Sequence, residues 1–225
     1  MTLAGMLDLL EGHYGEIASP APTEPYALVI FLNCGYPASD ERCARGFAAL
    51  TASVGIEPAA ILSADLADLT ELMRPGGMVP EVRAGRLQQI AAMVHDGLGG
   101  DLWGALSAEP GRAKRLLGRF PTIGETAADR ILLFCGLAPE PAPPTGALQV
   151  LTRLGLAEEG KDFTATYRSA RAAIASGVPE DFAARQRAYL LLKAHGHGLC
   201  KGSAPTCEPC PLKGDCAWFQ AHAAD

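Results

Sequence analysis

Apolar residues recur along this chain at three- and four-residue spacing, and that spacing sets the elements it predicts. Leu3, Met6, Leu7 and Leu10 fall on one face of a helix over residues 3–15. Residues 19–25 carry Pro20, Pro22 and Pro25 and read as a loop. Residues 26–33 are apolar almost throughout. Periodicity alone would allow a strand there, but the length of the run and the helix after it predict a buried helix. Ser39 or Asp40 can cap the next helix, where Cys43, Phe47, Ala48 and Leu50 follow at helical spacing. Short helices are expected over 57–63 and 65–73, then a turn over 74–78. An amphipathic helix over 81–98 turns Leu87, Ile90, Ala91 and Val94 inward. Residues 102–109, 111–120 and 124–136 continue the pattern, the last two around a tight turn. Pro139, Pro141, Pro143 and Pro144 break the chain, and helical spacing returns over 147–154, 163–176 and 179–195. No segment reads as a strand, and no repeat of fixed period is present. The expected class is all-α.

Composition bounds this picture. The chain has 225 residues, of which 48% are hydrophobic, enough for one large or two small globular domains. The greasiest run, residues 28–32, is far too short to span a bilayer, so no membrane partner is expected. The N-terminus lacks a basic stretch followed by an apolar one, which predicts a cytoplasmic protein. The net charge of −6 counts against a nucleic-acid partner, because phosphate contacts need Lys and Arg. A local basic face can still sit on an acidic protein.

The candidate chemistry lies at the C-terminal end. Four of the seven cysteines, Cys200, Cys207, Cys210 and Cys216, fall within seventeen residues, with gaps of six, two and five. A loop that short can bring all four thiols to one centre. Gathered thiolates are soft ligands and suit zinc or iron–sulfur. A structural zinc site usually shows two close cysteine pairs, whereas here only Cys207 and Cys210 form one. The uneven spacing suits a cubane. Disulfides are disfavoured, because no secretory leader is read and the other three cysteines lie in apolar runs.

A second signal is the turn Phe120-Pro121-Thr122-Ile123-Gly124-Glu125-Thr126. A hairpin that holds a phosphate needs glycine–apolar–glycine. The glycines let backbone N–H groups face outward, and the second helix aims its positive end at the same phosphate. Here Ile123 can plug the turn and Gly124 is in place. Thr122 stands where the first glycine would, and a β-branched residue resists positive φ. The turn is therefore expected to differ or to be strained.

Together these segments resemble the endonuclease III family of DNA glycosylases. The spacing Cys-x6-Cys-x2-Cys-x5-Cys is similar to that family's [4Fe–4S] loop, and His195-Gly196 before Cys200 to its His-Gly-x-x-x-Cys lead-in. Residues 120–132 resemble its hairpin, Leu-Pro-Gly-Val-Gly-x-Lys-Thr-Ala. Residues 25–40 resemble its first barrel helices, and residues 74–87 its second DNA-facing loop. The resemblance implies a two-lobed all-α fold. A six-helix barrel with the helix–hairpin–helix would span 23–138, and an iron–sulfur cluster domain 1–22 with 139–225. It implies a [4Fe–4S] cluster on Cys200, Cys207, Cys210 and Cys216. It also implies a monomer that binds damaged double-stranded DNA with a base flipped out, associated with the nucleoid.

The same resemblance implies a gap in the chemistry. The family's hairpin lysine, which forms an imine with the sugar, falls at Thr126. Its aspartate, which stabilises positive charge on the sugar, falls at Pro144. Asp129, Glu125 and Glu140 are the possible stand-ins, each read as a solvated surface carboxylate. Pro37 takes the position of the wedge glutamine, so Tyr36 and Met78 are the candidates to fill a vacated base site. Thr122, Ile123, Gly124, Thr126, Arg119 and Lys201 are the candidate DNA contacts, and Lys114, Arg115, Arg130 and Lys193 complete the possible phosphate set. The expected protein binds lesion-bearing DNA without lyase activity and with little or no base excision. A monofunctional glycosylase with a rebuilt site, and an iron–sulfur protein with a redox or protein-binding role, are the alternatives.

Overall fold

The computed structural model of the chain describes residues 1–35 and 39–222. Among them every regular element is helical. The chain forms two compact units, one of residues 19–137 and one of residues 1–18 with 138–225. No helix among the described residues is long and apolar enough to cross a membrane.

The unit of residues 19–137 is built on α2 (Pro25–Gly35). The Glu24 carboxylate accepts from the N–H groups of Tyr26 and Ala27 at its start, and Pro25 fits the first turn, where no N–H is needed. All of α2 except Leu32 is buried, and Leu28, Val29, Ile30 and Phe31 are wholly so. Val29 and Ile30 are indifferent helix formers, costing about 0.5 kcal/mol each. Burying each is worth roughly 1.5–3 kcal/mol, so packing overrides propensity and the apolar run becomes a central helix.

Around α2 lie α3 (Asp40–Ser53), α4 (Pro58–Ser63), α5 (Leu66–Met73), α6 (Pro80–Leu98), α7 (Leu102–Ala108), α8 (Pro110–Leu117) and α9 (Glu125–Phe134). Three glycines bring backbone against backbone. A Cβ on Gly35 would meet Cys43, and one on Gly46 or Gly76 would meet the Cys34 carbonyl. The sequence left the cap of α3 to Ser39 or Asp40. Ser39 is the cap residue but makes no side-chain bond there. The Asp40 carboxylate instead accepts from both terminal nitrogens of Arg130 at 3.0 and 2.8 Å, in a buried bidentate pair.

The second unit packs α1 (Leu3–Tyr14) with α10 (Thr145–Arg153), α11 (Phe163–Gly177), α12 (Phe182–His197) and the short α13 (Ala217–His222). Leu3, Met6, Leu7 and Leu10 form the inner face of α1, as their spacing predicts. They meet Val150, Leu151, Tyr167, Ile174, Leu191 and Leu192 in one core, on which Cys200, Cys210 and Cys216 rest. Helices α10 and α12 touch glycine to glycine: a Cβ on Gly196 would stand 2.5 Å from the Gly146 carbonyl oxygen. That contact holds the end of α12, from which the cysteine loop departs. Arg171 and Arg185 donate to the carbonyls of Pro141 and Pro139 and fasten the proline segment to α11 and α12.

Two alanine substitutions test this packing. Gly196→Ala forces a methyl into backbone and is expected to lower stability by roughly 1–3 kcal/mol. Gly85→Ala, in α6, meets nothing within 4 Å and should raise stability by up to about 1 kcal/mol. Thermal unfolding of both variants reads the opposite signs.

Candidate functional site

The turn between α8 and α9 is a candidate site of the unit of residues 19–137. Thr122 adopts φ of +64°, so the chain keeps the left-handed turn although no glycine is there. Such a conformation costs a non-glycine residue about 1–2 kcal/mol. Asn33, buried at the end of α2, offsets it. Its amide nitrogen donates to the Val29 carbonyl at 3.0 Å and to the Pro121 carbonyl at 3.2 Å. Its amide oxygen accepts from the Thr122 hydroxyl at 3.0 Å. A hydrogen bond contributes about 1 kcal/mol net, so the two that reach the turn, at Pro121 and Thr122, match the strain. Ile123 is buried and plugs the turn, as the sequence predicts.

Gly124 behaves differently from expectation. Its φ is −86°, and its N–H bonds the Thr122 carbonyl rather than facing outward. It caps α9 without a side chain. The N–H groups of Glu125, Thr126 and Ala127 therefore have no intrahelical or side-chain acceptor, and they face an exposed turn. Arg119 is exposed just before the turn and makes no ion pair with another described residue. Thr126 is partly exposed on the first turn of α9.

Two of the charges, Asp129 and Arg130, were misread by pattern. Asp129 is 1% exposed, not a solvated carboxylate, and lies 2.8 Å from the Lys114 ammonium. Lys114 also reaches Glu125 at 3.1 Å, so its amine sits between two carboxylates. Arg130 belongs to the buried pair with Asp40 and is no phosphate ligand. Lys193 lies over the Tyr189 ring in α12. Glu140 is exposed and pairs with Arg171 at 3.3 Å. Pro144 is buried at the start of α10, and its carbonyl accepts from Ala147. Of the charged set, Arg115 and Arg119 are exposed beside the turn, and Lys201 is exposed on the cysteine loop of the other unit.

Met78 stands 79% exposed on the loop before α6. Gly77 and Val79, on either side, both take positive φ. The buried Arg83 guanidinium donates to the carbonyls of Met73, Gly77 and Met78 and holds this loop from beneath. Tyr36 and Pro37 lie outside the described residues.

The cysteine loop is a separate candidate site, in the other unit. Cys200, Cys207, Cys210 and Cys216 line one cavity with Arg153, His195, Leu212, Lys213 and Trp218. No group of three or more possible ligands among the described residues stands close enough to grip an ion as it is. The donor set nonetheless fits a thiolate-bound group. All four cysteines line one space, and none is in a disulfide. Burial and the neighbouring thiols push Cys207 and Cys210 up, while Arg153 and Lys213 beside Cys207 work the other way. Two cations thus border a site where thiolate charge would gather. Arg153 donates to the Cys200 carbonyl at 2.9 Å, to its sulfur at 3.5 Å and to the Gly202 carbonyl, and it lies over the Trp218 ring. His195 Nε2 is 3.7 Å from Cys210 Sγ. Burial holds His195 down at about 4, so its ring is neutral near pH 7.

Sequence reasoning missed Asn33, Arg83, Arg153 and Tyr14. Asn33 left a faint signal as the polar residue closing an apolar helix. The others announce their role only through their partners in space.

No protein-family model matches the sequence, and no curated protein matches it significantly. Solved structures do match its fold. A trapped endonuclease III–DNA covalent intermediate aligns at TM-score 0.76 and 18% identity, over 98% of this chain and 97% of that one. A non-covalent endonuclease III–DNA complex aligns at 0.77 and 17%, over 99% and 97%. A thermostable thymine-DNA glycosylase aligns at 0.75 and 14%, over 97% and 94%. The chain has the all-helical fold that these DNA glycosylases share.

Proposed function

We propose that this chain is a DNA-binding protein of the base-excision type that holds duplex DNA carrying a damaged base, without lyase activity and with little or no base excision. The observation that carries the reading is the hairpin. Its left-handed turn is kept at Thr122 with Asn33 holding it, and uncapped N–H groups open α9. The positive end of a helix attracts phosphate. That this fold occurs in DNA-bound endonuclease III supports the same partner here. Arg119 and Lys201 would add phosphate contacts, and the exposed Met78 would occupy the space of an unstacked base.

Loss of chemistry follows from the side chains. An imine needs a primary amine, and Thr126 has none. The Lys114 amine is engaged by both Asp129 and Glu125. Pro144 has nothing to stabilise a positively charged sugar. Asp129 and Glu140 are engaged in ion pairs, so neither is poised to activate water. Cys200, Cys207, Cys210 and Cys216 would hold a [4Fe–4S] cluster, which when bound supplies a cross-link within the loop and a one-electron couple.

Four measurements bear on this. Anaerobically purified protein should contain iron and sulfide in equal amounts, and Cys207→Ser should cost the cluster and most soluble protein. One zinc per chain without sulfide would overturn the cluster. Duplex binding should weaken with salt along a shallow slope, because few phosphates are neutralised. Arg119→Glu should weaken all duplexes alike. Glu125→Gln removes an acid from the positive end of α9 and should tighten binding roughly two- to fivefold. No binding at low salt would count against the hairpin. Borohydride should trap no adduct with abasic DNA, whereas efficient trapping would show that another lysine has taken the role. Excision above background on a lesion panel would favour a rebuilt glycosylase site instead.

A further inference from the structure

Tyr14 ends α1, in the segment most distant in sequence from the cysteine loop. Its oxygen is nevertheless 3.0 Å from His195 Nδ1, a contact spanning 181 residues. The other ring nitrogen of His195 faces Cys210 Sγ at 3.7 Å. The direction of these bonds can be worked out. A metal-bound sulfur has no hydrogen to give, so toward Cys210 it is His195 Nε2 that donates. A neutral imidazole carries one ring hydrogen, so Nδ1 is left to accept the phenol hydrogen.

We infer that Tyr14 is a positioning residue for the cysteine site, fixing through His195 the hydrogen bond that reaches the Cys210 sulfur. The inference rests on the reading that these cysteines hold an iron–sulfur cluster. Without the phenol the imidazole is free to move its hydrogen to Nδ1, and Nε2 would then present a lone pair to the sulfur. A donor at a ligand sulfur draws electron density from it and favours the reduced cluster. Removing the donor lowers the reduction potential and loosens the ligand. The geometry suits this role. His195 is 2% exposed, so water does not replace the donor.

The test uses the full chain with its cluster. Iron and sulfide are first counted in the unaltered protein, and absence of sulfide there refutes the cluster itself and, with it, this inference. In Tyr14→Phe the ring stays and only the hydroxyl goes. Cluster content should be retained, the reduction potential should fall, and iron release to a chelator should quicken roughly tenfold. The deuterium sensitivity of one iron–sulfur stretching band should be lost. His195→Gln supplies an amide donor with no tautomer to set. In that background Tyr14→Phe should leave the potential unmoved, which a merely structural tyrosine would not do. A cluster-loaded Tyr14→Phe with unchanged potential and unchanged deuterium sensitivity overturns the inference. So does an equal fall in both backgrounds.

Discussion

The grip of Asn33 on the turn before α9 is the contact on which the proposed DNA-binding surface depends. A β-branched residue sits in a left-handed conformation that, left alone, it would abandon at a gain of about 1–2 kcal/mol. One amide on a buried helix supplies a donor to the chain before the turn and an acceptor to the hydroxyl within it. Because α2 is buried over nearly its whole length, that amide cannot move away. A glycine would have made the same turn without strain, and here a tertiary contact does the work of a missing glycine.

The basic residues follow a related logic. Arg83, Arg130, Arg153 and Arg185 are buried and serve backbone carbonyls or a carboxylate within their own units. Lys114 is engaged by two acids. These cations hold loops and helix ends. On so acidic a chain, the proposed DNA binding would rest on local exposed cations such as Arg115 and Arg119 and on helix-end N–H groups.

The cysteine loop shows how a segment with little regular structure is anchored. Leu212, almost fully buried between the third and fourth cysteines, ties it to the core of α1, α10, α11 and α12. Arg153 holds its first residues by three bonds, and the glycine contact of α10 with α12 sets where it begins. His195 and Tyr14 join the loop to the N-terminal helix. The thiols are therefore arranged around one cavity by groups from several helices rather than by the loop alone.

Much of this was legible in the sequence. Apolar spacing is a local property, and a helix buries one stripe whatever its partner, so the helices and the all-α class could be read directly. The buried helix at residues 26–33 and the plug Ile123 followed in the same way, as did the gathering of four thiols within a short loop. What pattern could not give was pairing. Asp129 and Arg130 look like surface charges in sequence, yet each is buried against a partner, Arg130 against an acid 90 positions away. Tyr14 and His195 lie at opposite ends of the chain. Gly146 and Gly196 look like ordinary helix glycines until a Cβ is shown to have no room. Sequence determined which segments fold as helices and which residue types could do chemistry. Only the tertiary structure decided which charges, amides and glycines meet, because those contacts depend on how helices cross rather than on how they form.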